Sequence, residues 1–497
     1  MQSKRDQVQA HAFVMNRLAS GMLLADPDAP ESPLGRTTRG AVVGVVVAVL
    51  VAAGALVYGL VSPGGNDSWR TSGTLVVNRE TGARYVYYDG RLRPVRNYAS
   101  ARLIGGKDLK TEDVSTASLG DTPIGAPVGI PGAPDSLPGG GDLDSGAWQV
   151  CSALDEDGSA VTALVAGGPT ADTGLDAGDG VLVAGPDGAS YLVWQGSRLR
   201  LDHKSGAAVS LGYGSVAARP VSAAFLDALV EGPDLTAPAV AGLGTKGPAL
   251  GSAASRVGQV FRVSVPGSAE RPYYQLRQEG LVPLTDTAAA LALGDPTIRE
   301  KAYDGDSPVA ADLGADTLKQ HLAPGAEGRS PGAAGLPAAP PHAVSVPQDQ
   351  AACARVEPGT DGTRVATTLV PVTDLGPVSA APTDQVAPAC LRVDGVVVRP
   401  GHGALVRALG ADGAAVGDTT YLVTDNGVKY RVPSTAALEA LGQSEASARA
   451  LPAPLLSMLP TGPDLDPAAA TGASRPHTTG PACGDSGAGA TQAAAEN

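Results

Sequence analysis

Four cysteines, Cys151, Cys353, Cys390 and Cys483, are the residues best placed to do covalent chemistry in this chain. No two share a Cys-x-x-Cys spacing, so neither a zinc site nor a thioredoxin-like redox pair is specified. The six histidines, His11, His203, His321, His342, His402 and His477, lie outside metal-ligand spacing of one another, and none sits in an HExxH motif. A GxSxG nucleophile elbow is absent. A phosphate-cradling loop needs GxxxxGK followed by Ser or Thr, because its amides and lysine hold the phosphates. Gly105-Gly106-Lys107 and Gly242-Leu243-Gly244-Thr245-Lys246-Gly247 both lack that ending. Carboxylates are plentiful, yet no pattern pairs two of them for acid–base work. Asp234 and Asp464, each inside a Gly-Pro-Asp-Leu segment, read as caps of turns or helix starts. The expectation is therefore no catalytic residue, no cofactor-binding residue and no metal ligand, with the chemistry confined to disulfides.

What positions the cysteines begins with a membrane anchor. From Gly40 to Ser62 no charged residue appears, and roughly 20 such residues span a hydrocarbon core of roughly 30 Å. A cleavable signal peptide would start nearer the N-terminus, and a buried core helix rarely runs this long without a polar face. Lys4, Arg5, Arg17, Arg36 and Arg39 precede the helix, whereas the first cation after it is Arg70. The positive-inside rule then places the N-terminus in the cytoplasm and everything from Pro63 onward outside. All four cysteines fall on that outer, oxidising side, where an even count favours disulfides.

Of the formal charge of −14, the first 39 residues contribute +1, so the outer region is strongly acidic. That sign argues against nucleic acid as a partner, because phosphate binding needs a basic face. Low aromatic content (4%) with 65 Gly and 41 Pro points to small β-containing modules joined by irregular segments. Before the anchor, Val8, Phe13, Val14, Leu18, Met22 and Leu23 recur at helical spacing, which predicts an amphipathic helix ending by Asp26-Pro27 and Ser32-Pro33. It reads equally as a surface helix on the bilayer and as a docking helix for a cytoplasmic partner.

The outer region repeats itself. LVVNRETGARYVYYDGRLRPV (75–95), VLVAGPDGASYLVWQGSRLRL (181–201), VFRVSVPGSAERPYYQLRQEGLVP (260–283) and YLVTDNGVKYRV (421–432) each read as strand, Gly-containing turn, strand. Tyr85, Tyr191, Tyr273 and Tyr430 are assigned matching places, and an apolar helical stretch often follows, as in TDTAAALALG (285–294) and PSTAALEALG (433–442). A longer duplication relates FLDALVEGPDLTAPAV (225–240) to LLSMLPTGPDLDPAAA (455–470), dividing the outer region into two halves of like plan. Cys151 and Cys353 stand at like places in these halves, so a Cys151–Cys353 disulfide is expected, closing a loop worth several kcal/mol in the chain-entropy model. A Cys390–Cys483 pair follows by exclusion.

Several motifs in order make the chain resemble the EccB family, the bitopic membrane subunit of actinobacterial type VII (ESX) secretion systems. They are RDQVQAHAFVMNRL (5–18), the anchor after Pro33-Leu34-Gly35-Arg36, RLRPVRNYASARLI (91–104), PVGIPGAPDSLP (127–138), WQVC (148–151), the two GPDL segments and LVTDNGVKYRV (422–432). The resemblance implies an α+β fold: one transmembrane helix plus an elongated extracytoplasmic region with a central mixed core and four hairpin–helix repeat domains in pseudo-twofold arrangement. It carries the family's inter-half disulfide onto Cys151 and Cys353. It implies an assembly role in the inner-membrane complex beside the motor ATPase EccC, EccD, EccE and further copies of itself. Some members are described as ATPases, and ATP enters as a cofactor on that description alone.

The expected organisation is a cytoplasmic helix segment at 1–39, the transmembrane helix at 40–62, repeat 1 at 63–110 and the first half of the core at 111–175. Repeat 2 with its GPDL segment follows at 176–245 and repeat 3 at 246–300. The second half of the core, with Pro/Ala/Gly-rich loops, takes 301–415. Repeat 4 with its GPDL segment takes 416–469, and a disordered tail 470–497. The stretches 326–350 and about 375–390 are expected to be loops or linkers.

Overall fold

A computed structural model describes residues 4–25, 33–61, 67–167, 174–264, 271–326, 335–359, 362–379, 385–410, 415–480 and 483. The chain divides into two units. One comprises Met1–Thr71, Val76–Arg84 and Thr111–Pro123; the other comprises Ser72–Leu75, Tyr85–Lys110 and Ile124–Asn497.

The first unit contains two helices, Lys4–Leu24 and Pro33–Val61. The second of these carries a 23-residue stretch, Thr37–Gly59, long and apolar enough to cross a membrane and with none of its apolar surface buried in the protein. Ser62, the last residue of the expected span, lies outside the described residues. The rest of this unit includes the strand Thr111–Val114, the short helix Thr116–Leu119 and the turn that follows Asn78. Asn78 Oδ1 accepts from the amides of Glu80 and Thr81 at 2.9 and 3.0 Å, and its Nδ2 donates to Thr116 Oγ1 at 3.0 Å.

The second unit is built on a five-stranded central sheet in the order 362–371, 350–359, 148–154, 160–165, 395–397. Its middle is two hairpins laid side by side, one from each half of the sequence. The strands Trp148–Leu154 and Gln350–Gly359 run antiparallel with Cys151 directly opposite Cys353. Alternation along a strand sends successive side chains to opposite faces. Trp148 and Val150 therefore enter a large core with Val181, Phe225, Val406 and Leu455, while Cys151, Ala153, Ala351, Cys353 and Val370 form a small cluster on the other side.

Around this sheet the repeats share one plan. In repeats 2, 3 and 4 a three-stranded antiparallel meander is followed by a helix, and a fourth strand returns parallel to the first. The returns are registered as Arg219↔Val183, Phe261↔Ala311 and Val406↔Arg449. Repeat 1 has the same succession of elements, strands at 75–78, 84–88 and 91–94, helix Tyr98–Gly105, then a strand at 111–114. The helices start where a side chain can take an unpaired amide. Asn97, Thr285 and Ser434 accept from the amides of Ser100, Ala288 and Ala437.

The repeat is thus larger than a hairpin and a helix, and this moves several boundaries. Strand Gly403–Leu409, expected within the core at 301–415, is the first strand of the fourth repeat. The segment 421–432 spans that repeat's second and third strands, so Tyr421 rather than Tyr430 shares the second strand with its counterparts Tyr191 and Tyr273. A meander has two turns, and a single Asn-Gly signal does not say which of them it marks. Ala311–Leu313 likewise completes the third repeat's sheet beyond residue 300. The expected tail is also ordered well past residue 470: Pro467–Thr471 is a helix capped by Asp466, and the chain is described to Gly480. Residues 484–497 lie outside the described residues.

Candidate functional site

Two features could carry function, and each belongs to one unit. In the first unit, the helix Lys4–Leu24 leaves Val8, Phe13, Val14, Leu18, Met22 and Leu23 exposed, and the membrane-length helix leaves Tyr58 exposed near its end. In an isolated water-soluble chain such surfaces would be unfavourable, and they suit lipid or a protein partner.

In the second unit, the site is the brace between the two halves. Cys151 and Cys353 are fully buried and bonded, with an S–S distance of 2.10 Å. Cys390 and Cys483 are bonded at 1.95 Å. The pseudo-twofold relation extends to the packing on either side. Leu235 and Leu465, the leucines of the two GPDL segments, are both fully buried. Their amides donate to equivalent carbonyls, Leu235 to Arg200 at 2.7 Å and Leu465 to Arg431 at 2.8 Å. A second duplicated motif, GIPGAP (129–134) and GLPAAP (335–340), inserts Ile130 beside Leu465 and Leu336 beside Leu235. That motif escaped the sequence reading, although its shared Gly-x-Pro-x-Ala-Pro pattern is visible in the sequence.

In the candidate phosphate loops four of the glycine and threonine amides are taken by backbone carbonyls. Gly244, Thr245 and Gly247 donate their N–H groups to Val257, Gly242 and Ser255, and Gly106 donates to Arg102. A cavity of about 530 Å³ lies between the helices of repeats 2 and 3 and is lined by Ser210, Tyr273, Asp286, Leu293 and Pro340 among others. Its charged lining residue is the carboxylate of Asp286.

Four of the titratable residues singled out in the sequence, Asp464, His477, His402 and His342, lie in ion-pair distance of a partner. Asp464 is buried, with Arg431 Nη1 2.8 Å and His477 Nε2 3.1 Å from Oδ2. The amide and hydroxyl of Thr479 donate to the same carboxylate at 3.1 and 2.8 Å. This is not the helix or turn cap expected for it; Asp466 is the cap. Asp234, its counterpart, is exposed. His402 Nδ1 lies 3.4 Å from Asp144 Oδ1, which also pairs with Arg399, and His342 Nδ1 lies 3.7 Å from Asp179. Among the described residues no three His, Cys, Asp or Glu side chains come together to hold a metal. Lys429 is a residue that sequence reasoning missed. It is 2% exposed, its Nζ donates to the carbonyls of Leu456 and Leu459, and burial pushes its pKa down to about 8.

A membrane-length helix joined in sequence to a duplicated, disulfide-braced set of repeat sheets defines a single-pass membrane protein whose bulk is a scaffold. The chain belongs to the EccB family: residues 1–475 match the family described as "Type VII secretion system ESX-1, transport TM domain B". It is 28% identical over 482 residues to the ESX-3 secretion system ATPase EccB3 of Mycolicibacterium smegmatis, covering 93% of this chain and 89% of that protein. It is 33% identical over 262 residues to the ESX-5 secretion system ATPase EccB5 of Mycobacterium tuberculosis, covering 50% of each. The fold is similar to a chain of an intact ESX-5 inner membrane complex, with TM-score 0.63 and 26% identity over 94% of this chain and 95% of that one. It is also similar to the EccB3 dimer of the ESX-3 core complex, with TM-score 0.62 and 25% identity over 80% of this chain and 99% of that one.

Proposed function

We propose that this protein is a structural subunit of a type VII secretion inner-membrane complex, supporting protein export by holding neighbouring subunits together. The observation that carries the reading is the likeness over 94% of the chain to a subunit of an intact ESX-5 inner membrane complex. The helix Lys4–Leu24 lies on the cytoplasmic side, in keeping with Arg36 and Arg39 just before the span. The disulfide-bonded unit lies outside, where disulfides form and persist. Its partners are further copies of itself and the other membrane subunits, namely the EccC motor ATPase, EccD and EccE. Deleting the chain in its native host should leave the remaining subunits unassembled and export abolished; an intact, exporting complex without it would end this reading. Protease added to spheroplasts should cleave within 67–480 and spare 4–25, and the reverse pattern would overturn the orientation.

A further inference from the structure

Charge is not spread evenly over the outer region. Residues 72–110, most of repeat 1, hold eight Lys and Arg against three Asp and Glu, whereas residues 111–497 hold 22 against 42. The one basic stretch of this acidic region is also the first to follow the membrane-length helix. Residues 62–74 separate Val61, the end of that helix, from Leu75, where the first strand of the repeat begins. That length of chain spans at most about 50 Å when fully extended.

The backbone gathers half of these cations, Arg91, Arg93, Lys107 and Lys110, at the end of the sheet where the chain enters it. Gly73 donates its amide to the Tyr87 carbonyl at 2.8 Å, and Leu75 donates to the Lys110 carbonyl at 2.8 Å. Tyr87 and Lys110 therefore flank the start of the first strand, and Tyr88 stands opposite Arg91 across the next turn. The helix Tyr98–Gly105 ends at the same place. A Cβ on Gly105 would lie 2.7 Å from the Gly73 oxygen, so the close approach needs glycine, and Lys107 follows two residues on. Arg91, Lys107 and Lys110 are all exposed. The carboxylates at this end are Asp89, 3.9 Å from Arg93, and the exposed Asp108. Arg91, Lys107 and Lys110 are in no ion pair among the described residues. Beside them Tyr88 is 40% exposed, and Ile124, bridged in parallel to Leu92, is 64% exposed. Unpaired cations around an exposed tyrosine and isoleucine are the composition of a surface that meets lipid headgroups.

We infer that this end of repeat 1 is a membrane-surface site whose ligand is the anionic lipid of the bilayer that the anchor spans. Tyr88 and Ile124 enter the headgroup region, and Arg91, Lys107 and Lys110 bind lipid phosphates. An acidic protein surface could also satisfy the cations. The short tether favours lipid, because it keeps the bilayer at high effective concentration for this repeat whatever else is present. The inference rests on the membrane span and the charge pattern and not on the secretion role, so either reading stands if the other fails.

All four native cysteines are bonded, so Thr111→Cys, exposed next to Lys110, gives the full chain a single thiol for a fluorophore. The labelled chain is reconstituted in phosphatidylcholine vesicles bearing a headgroup nitroxide, with and without phosphatidylglycerol. The expected result is quenching several-fold stronger in the anionic vesicles, a difference that about 1 M salt removes by screening. Each cation near an anionic surface changes binding about fivefold, so Arg91→Gln, Lys107→Gln and Lys110→Gln together should abolish the difference. Unchanged hydrogen exchange in the central sheet shows that this variant is folded, and the lipid and salt comparisons need none of the three substitutions. Absence of quenching, equal quenching in the two kinds of vesicle, or a difference that the triple variant retains overturns the inference. A signal that follows the protein-to-lipid ratio and not the lipid charge also overturns it, because the cations would then face the acidic surface of another copy.

Discussion

Lys429 takes its charge into the interior of the fourth repeat, where its ammonium meets the last carbonyls after the helix Ala453–Ser457. Burial lowers its pKa to about 8, against about 10.4 in an unfolded chain. Between those values the unfolded state binds the extra proton, so the stability contribution rises with pH across roughly 8 to 10 and is lost as pH falls through 8. Thermal unfolding of the full chain should accordingly show a gain in midpoint over that window that Lys429→Met removes. Identical pH profiles for the two proteins would contradict the burial argument. Asp464 makes a different point, because four groups converge on one buried carboxylate. Replacing Arg431 by Ala removes one charged partner and costs about 2 kcal/mol locally. Hydrogen exchange at Thr479 should then speed up roughly thirtyfold, with the central sheet unchanged.

At the scale of elements, the pairing of Trp148–Leu154 with Gln350–Gly359 is what makes two halves one body. The Cys151–Cys353 bond closes a separation of 202 residues, worth roughly 5 kcal/mol in the chain-entropy model. Cys151→Ala with Cys353→Ala should lower the unfolding midpoint by several degrees while leaving the repeats folded, as read by calorimetry and exchange. Asn97 is a smaller test. It caps the helix Tyr98–Gly105 and donates to the Ile130 carbonyl at 2.7 Å, so Asn97→Ala should cost about 1–2 kcal/mol and loosen the 129–134 motif. The anchor, the duplication and the hairpins are legible in the sequence because each rests on local patterning: an uncharged run, a repeated GPDL, a Gly turn before an aromatic. The returning fourth strands are not, because Arg219–Pro220 and Ala311–Leu313 are too short to show a period, and their identity comes from pairing far along the chain. Asp464 was misread for a related reason. Its role depends on His477 and Thr479, whose approach is a tertiary fact that no local motif announces.

In the whole molecule an anchor continues in sequence into a scaffold. The first unit offers an exposed apolar helix and a membrane span, and the second offers a duplicated, cross-linked framework. Such a chain acts by contact, so its function is best read from what it holds. The most direct measurement is the mass and composition of the particle isolated from native membranes in mild detergent through a tag on this chain. The account predicts several copies of the chain per particle together with a motor ATPase and a polytopic membrane subunit. A particle containing a single copy and no other membrane protein would contradict it.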